Sequence, residues 1–308
     1  MRSEGCLSLL ITAHGPFRAR LTQVTLNGMR LSSAEEQLPR IAFVAVPAEA
    51  VMLMFPMSKA TGLACGGLAM QVGQFMTLCP GARFHTRSDG ASHWGTIRLP
   101  ADRLVKYGIA LKGAAFSFSP VVRRWRPPSA AGRHLRSLFA AAIRVAVKYP
   151  EVVVDAQAAH GLEQQLLQVL VECLADGSTD DDAQDGRENQ DIMGRFEQLI
   201  QTGQATKTSL TQVCTVLQVS ERRLRHLCSE HLGMGPTSYD RLQRMSRARH
   251  NLRRPDTASA SVSSVARLNG FRDLGRFALR YRAAFGEAPS TTLRQARSHS
   301  ERTTPRER

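Results

Sequence analysis

No stretch of this 308-residue chain approaches the roughly 20 consecutive apolar residues that a membrane-spanning helix needs. The apolar run Cys6-Leu7-Ser8-Leu9-Leu10-Ile11 is short, follows Glu4 and leads to no small-residue cleavage site, so it does not resemble a signal peptide. No membrane partner and a cytoplasmic location are the expectation. Cysteines are few and unpatterned: Cys6, Cys65, Cys79, Cys173, Cys214 and Cys228 include no CxxC pair. They read as reduced thiols, not as a disulfide frame or zinc site. Acidic residues are also scarce, 26 against 41 Lys and Arg, which leaves a formal net charge of +15. Such an excess, carried mainly by arginine, points to a polyanionic partner, because guanidinium forks suit phosphate oxygens and guanine edges.

What is present divides the chain. With 43% hydrophobic residues over this length, two domains can each fill a core. Residues 1–130 are cut by Gly and Pro into short β-type runs, such as Leu21–Leu26, Ile41–Val46 and Gly95–Leu99, which suggests an antiparallel barrel or sandwich. Over 131–175 the apolar period becomes helical. Leu135, Leu138, Phe139, Ala142, Ile143, Ala146 and Val147 form one stripe, and Leu162, Leu166, Val169, Leu170 and Cys173 a second. This helical pair is either core packed on the β domain or a homodimer interface. Residues 176–191 hold seven acidic residues against one basic, with nothing apolar to bury, and read as an acidic linker.

The charge then reverses. Residues 191–308 hold 21 Lys and Arg against 10 Asp and Glu, a net of +11. Within 192–297 one pattern occurs twice, at about 210–231 and 262–285: a short apolar helix, a tight turn and a second helix. In the first copy Val213, Cys214 and Leu217 precede the turn, Ser220 can cap the next helix, and Leu224, Leu227 and Cys228 face inward. Arg222, Arg225, His226 and Ser229 are left outward, with Arg223 at the edge. In the second, Asn269-Gly270-Phe271 makes the turn, and Phe277 and Tyr281 are buried in a helix from about Asp273 to Phe285. Between them lies a long helix with a Tyr239, Leu242, Met245, Ala248 and Leu252 spine, whose arginines suit phosphates or intramolecular ion pairs better than bases, with Arg247 and Arg249 expected to touch the DNA backbone. Residues 298–308 form a basic tail.

The motifs Ser220-x3-Leu224, Gly233-x2-Pro236-x2-Tyr239, Arg244-x3-Ala248 and Gly270-Phe271-x-Asp273-x3-Phe277-x3-Tyr281-x3-Phe285-Gly286-x2-Pro289-Ser290 resemble the signature of the AraC/XylS family of bacterial transcription regulators. The match covers about 192–295. Leu274-Gly275-Arg276-Phe277 together with Pro289–Arg294 resembles the branch that includes the ethanolamine-utilisation regulator. The resemblance implies an α+β protein: an N-terminal cupin-like sensor domain with the helical pair, then an all-α DNA-binding domain with two helix-turn-helix motifs. It further implies a cytoplasmic, non-enzymatic activator that takes a small-molecule effector and engages RNA polymerase. Base-reading positions fall on Arg222, Arg225 and His226 in the first motif and on Leu274, Gly275, Ala278 and Leu279 in the second. His226 and Leu279 stand where many relatives carry Arg, so the first motif is expected to read sequence and the second to clamp phosphates through Arg276, Arg280 and Arg282.

Two other classes compete. An enzyme or DNA-repair protein carrying the same domain would need a zinc-held nucleophilic cysteine, and the required cysteine clusters are absent. A constitutive architectural binder would show no preferred site. In the N-terminal half His85 and His93 lie eight apart without the carboxylate partner that a metal-binding cupin needs, so no metal or other cofactor is expected, and both are placed in turns or on strand surfaces. Arg83, His85, His93, Trp94 and Arg98 are candidates for an effector pocket as much as for ordinary surface.

Overall fold

A computed structural model describes residues 5–58, 62–113, 116, 118, 121–179, 183–204, 209–254 and 261–303. Two compact units are present: one built chiefly from 17–194, the other chiefly from 195–229 and 233–308.

The N-terminal unit contains two antiparallel sheets. Strands β1 (Cys6–Ile11), β4 (Arg40–Ala45), β9 (Arg83–Ser88), β6 (Ala64–Cys65) and β7 (Leu68–Ala69) lie in that order in one. The other runs β12 (Ser178–Thr179), β11 (Arg123–Arg126), β8 (Phe75–Leu78), β5 (Ala50–Pro56), β10 (Ser92–Pro100), β3 (Met29–Glu36) and β2 (Ala19–Leu26). Period-two alternation sorts the second sheet's side chains. Val24, Leu26, Leu31, Val51, Leu53, Phe55, Ile97 and Leu99 point to one face and join Leu135, Phe139, Leu166 and Leu170 in a single core. Those last four belong to helices α2 (Ser129–Lys148) and α4 (Ala156–Ala175). The helical pair is therefore core against the sheet. Gly95 makes this approach possible, since a Cβ there would lie 2.8 Å from the rings of both Phe139 and Phe55.

Helix α1 (Ala101–Lys112) was not expected in a stretch read as strands. It follows Pro100 directly and is tied down by charge: Arg103 donates to both carboxylate oxygens of the fully buried Glu163 at 2.7 and 2.8 Å, and to Asn27 O. A five-residue helix α3 (Pro150–Val154) separates α2 from α4.

The stretch 176–191 departs from the linker reading. It contains β12, paired with β11 through Arg126 and Ser178, and the start of helix α5 (Ala183–Gln201). Gln190 accepts a hydrogen bond from Val122 N and donates to Arg83 O. Backbone pairing and amide side chains hold this segment where apolar burial does not.

In the C-terminal unit α5 continues into α6 (Leu210–Leu217), α7 (Glu221–Leu232), α8 (Pro236–Leu252), α9 (Val262–Leu268), α10 (Leu274–Phe285) and α11 (Pro289–Thr303). Helix α11 overruns the point where a basic tail was expected to begin, because Thr292 and Leu293 are buried and the Tyr281 hydroxyl lies 2.9 Å from Thr292 Oγ1. Residues 304–308 of that tail lie outside the described residues.

Candidate nucleic-acid interface

Both helix-turn-helix units are built from local capping. Helix α6 begins with a reciprocal pair: Ser209 Oγ accepts from Gln212 N and Gln212 Oε1 accepts from Ser209 N. The turn after it places Gln218 at φ +58, and Ser220 Oγ then accepts from Arg223 N to start α7. The second unit repeats this with other residues. Ser261 and Ser264 cap α9 reciprocally, Gly270 takes φ +77 in the turn, and the Asp273 carboxylate accepts from Arg276 N to start α10. Positive φ is free for Gly270 but strains Gln218.

Helix α7 buries Leu224, Leu227 and Cys228 and exposes Arg222, Arg225 and His226, with Arg223 half-buried. Arg225 Nη2 lies 3.2 Å from Glu221 Oε2, an exposed i,i+4 pair of little energetic consequence that leaves its guanidinium available. Ser220 is an exposed cap whose hydroxyl is already engaged by the backbone.

Helix α10 presents a different surface. Gly275, Arg276, Leu279, Arg280 and Arg282 are exposed, Leu279 at 72%, and Ala278 is half-buried. Leu274, expected among the base readers, instead packs against the cluster of Phe271, Phe277 and Tyr281, because the first turn of α10 leans on the domain core. Arg276 Nε lies 3.3 Å from Asp273 Oδ2.

Helix α8 joins the units through a polar network that the apolar spine did not reveal. Glu197 of α5, fully buried, accepts from the Tyr239 hydroxyl at 2.7 Å and from Gln201 Nε2 at 3.0 Å. Burial and the nearby Glu197 carboxylate raise the Tyr239 phenol well above its usual range, so it stays a donor. Two arginines of α8 turn inward, Arg249 among those expected to serve DNA. Arg249 Nη2 pairs with Glu287 Oε1 at 2.9 Å and its guanidinium covers the Phe285 ring at 4.5 Å, so it does not present a free phosphate-binding fork. Arg244 bonds Asp240, donates to Gly270 O and lies over Phe271. Arg247 is half-buried, with its Nε unpartnered.

The N-terminal unit holds a cavity of about 150 Å³ lined from both sheets, on the face of the second sheet opposite its helices. Leu21, Met52, Met54, Phe84 and Val44 give it an apolar body. At one end Arg40, 2% exposed, bonds Glu36 through Nε at 2.9 Å and donates to Thr86 O and Thr86 Oγ1. Glu36 Oε2 also accepts from Ser92 Oγ and Trp94 Nε1. Arg30 and Arg98, cross-strand partners, line it as well. Of the sequence candidates, Trp94 and Arg98 reach this cavity and Arg83, His85 and His93 do not. His85 is buried beside Phe43, not on a turn or strand surface, and His93 Nε2 lies 3.0 Å from Ser33 Oγ. Among the described residues no group of three or more His, Cys, Asp or Glu is placed to hold a metal.

Residues 213–295 match a protein-family model described as a helix-turn-helix domain. The "XylDLEGF operon transcriptional activator" of Pseudomonas putida is 37% identical over 103 residues, 33% of this chain and 32% of that protein. The "HTH-type transcriptional activator RhaS" of Pectobacterium carotovorum is 34% identical over 80 residues, 26% of this chain and 28% of that one. The C-terminal domain is similar to the helix-turn-helix part of these transcriptional activators. The aligned part spans about a third of the length of these relatives. Among solved structures, "the AraC-like transcriptional activator CuxR" aligns over 75% of this chain and 81% of its own at 14% identity and a TM-score of 0.40.

Proposed function

We propose that the protein is a sequence-specific DNA-binding transcription activator whose α7 and α10 enter successive major-groove segments of one duplex, about 34 Å apart. The observation that carries this reading is the pair of side-chain-capped recognition helices, one presenting Arg222, Arg225 and His226 to solvent, on a domain 37% identical to that of a transcriptional activator. Arg222 and Arg225 read bases, while Arg276, Arg280 and Arg282 hold phosphates and Leu279 meets thymine methyls. Residues 1–175 form the sensing part. The cavity, apolar in its middle with buried charge at its end, suits a small-molecule effector. Exposed Val147, Tyr149, Val152 and Val154 beside the helical pair favour a homodimer. RNA polymerase is the partner an activator requires, and the protein acts in the cytoplasm without catalysis or a cofactor. Leu274-Gly275-Arg276-Phe277 supports the finer placement beside the ethanolamine-utilisation regulator.

The test is selection by the full chain from a pool of random duplexes. The expected result is enrichment of a site with two elements about one helical turn apart. Retention of all duplexes alike would instead mark an architectural binder.

A further inference from the structure

We propose that a groove in the C-terminal unit holds a phosphate of the DNA backbone in the stretch between the two recognition helices. The inference rests on the DNA-binding reading above and adds a site to it. The groove is lined by Thr202 and Gly203 after α5, by Arg244 and Arg247 of α8, and by the turn of the second unit from Arg267 to Arg272, around a volume of about 620 Å³. Among the described residues four of its lining side chains are arginines and none is acidic.

Their surroundings separate the four. Arg244 is held by Asp240, by Gly270 O and by the Phe271 ring, so it braces the turn. Among the described residues Arg247, Arg267 and Arg272 line the same space with no carboxylate beside them, and Arg247 Nε is buried without a hydrogen-bond partner. Gathering three guanidiniums without a counter-anion raises the energy of the free domain, and a buried unpaired donor adds to it. A phosphate oxygen offsets both, since the guanidinium fork matches its geometry.

Position selects the backbone of a duplex over a free anion. Arg272 adjoins Asp273, the cap of α10, whose next turn exposes Arg276. Thr202 and Gly203, which also line the groove, precede Ser209, the cap of α6 in the first unit. A strand engaged by both units passes this groove. Contacts of this kind fix register without reading bases, and they give the second unit a grip that its apolar Gly275, Ala278 and Leu279 cannot supply.

The test uses the full chain, its selected duplex and a matched random duplex. Arg247→Ala, Arg267→Ala and Arg272→Ala should each weaken binding to both duplexes by the same factor and lower the salt slope by about one unit, with Arg247→Lys restoring most of that slope. Neutral methylphosphonates placed singly along the spacer backbone should reveal one position where the wild-type protein loses affinity and Arg247→Ala loses no more. Unchanged slopes with folded variants, or Arg247→Ala sensitive at every neutralised position, would overturn the proposal. Inorganic phosphate that displaces the duplex more strongly than chloride at equal ionic strength, an effect lost in Arg247→Ala, would support the site, whereas phosphate that binds the groove without lowering duplex affinity would overturn it, since the groove would then hold a free anion apart from DNA. Failure of the wild-type chain to bind any duplex would defeat the DNA-binding reading itself, a separate result.

Discussion

Arg249 and Glu287, 38 positions apart, meet at 2.9 Å, and the same guanidinium lies 4.5 Å from the centre of the Phe285 ring. This closes α8 onto the end of α10. Arg249→Ala should therefore cost about 1–2 kcal/mol of stability through lost stacking and a Glu287 carboxylate left with the more distant Arg253, 3.8 Å away. Chemical denaturation of the full chain would register it, while the salt slope of DNA binding should stay as in the wild type. A slope reduced by one unit with stability intact would return Arg249 to the phosphate backbone.

Arg222 and Arg225 sit on the exposed face of α7 with no buried partner to stabilise. Replacing either by Ala should cost about 1–3 kcal/mol at the selected site and little on random DNA. Titration of both duplexes decides it: equal losses would make these residues phosphate contacts. Thermal unfolding should shift little, because an exposed i,i+4 pair such as Arg225 with Glu221 contributes only about 0.3–0.5 kcal/mol.

How far the sequence disclosed this depended on the range of the interaction. Ser220, Gly270 and the inward Leu224 and Phe277 act within a turn or two, so spacing revealed them. The capping boxes Ser209 with Gln212 and Ser261 with Ser264 were equally local, and an S/T-x-x-Q or S-x-x-S scan would have found the helix starts they set. Which arginine of α8 forms an ion pair was hidden because Glu287, the partner of Arg249, lies 38 residues on. The cavity was hidden for a similar reason. Residues such as Arg30, Met54, Trp94 and Arg98 converge only once β3, β5 and β10 pair, a register that no single strand states. Helix α1 escaped because Pro100 ends a strand and begins a helix at one residue.

Gly95 is a second consequence of strand pairing. A Cβ there would lie 2.8 Å from Phe139 and from Phe55, two fully buried rings packed edge to face. Gly95→Ala should force one ring off its rotamer and destabilise the N-terminal unit by about 1–3 kcal/mol. Near-ultraviolet circular dichroism during thermal unfolding would show an earlier transition. An unchanged midpoint would mean that the rings shift freely.

The thiols give a pH signature. Burial, helped by the Glu172 and Asp176 carboxylates, pushes Cys173 up to about 12, and burial likewise pushes Cys228 up to about 12. An unfolded chain ionises these groups near 9, so the stability that withheld ionisation contributes is complete below that pH and declines as pH rises toward 12. At pH 8 iodoacetamide should label half-exposed Cys6 rapidly and reach Cys173 and Cys228 only after denaturant is added. Mass spectrometry of tryptic peptides reads the order; prompt labelling of Cys173 in the native chain would contradict its burial.

The Glu36–Arg40 pair at the cavity end separates effector binding from folding. Arg40 is 2% exposed and pairs with Glu36, whose Oε2 also gathers Ser92 and Trp94. Removing the carboxylate by Glu36→Leu strands a buried guanidinium and should cost about 3–5 kcal/mol. Replacing both, as Glu36→Leu with Arg40→Met, removes the stranded charge and should recover most of that loss. If the double variant folds as firmly as the wild type yet no longer changes its DNA binding in the presence of an effector that acts on the wild type, the pair serves recognition. If it regains stability and keeps the response, the pair is structural and the ligand is held by the apolar body and the Arg30 and Arg98 end.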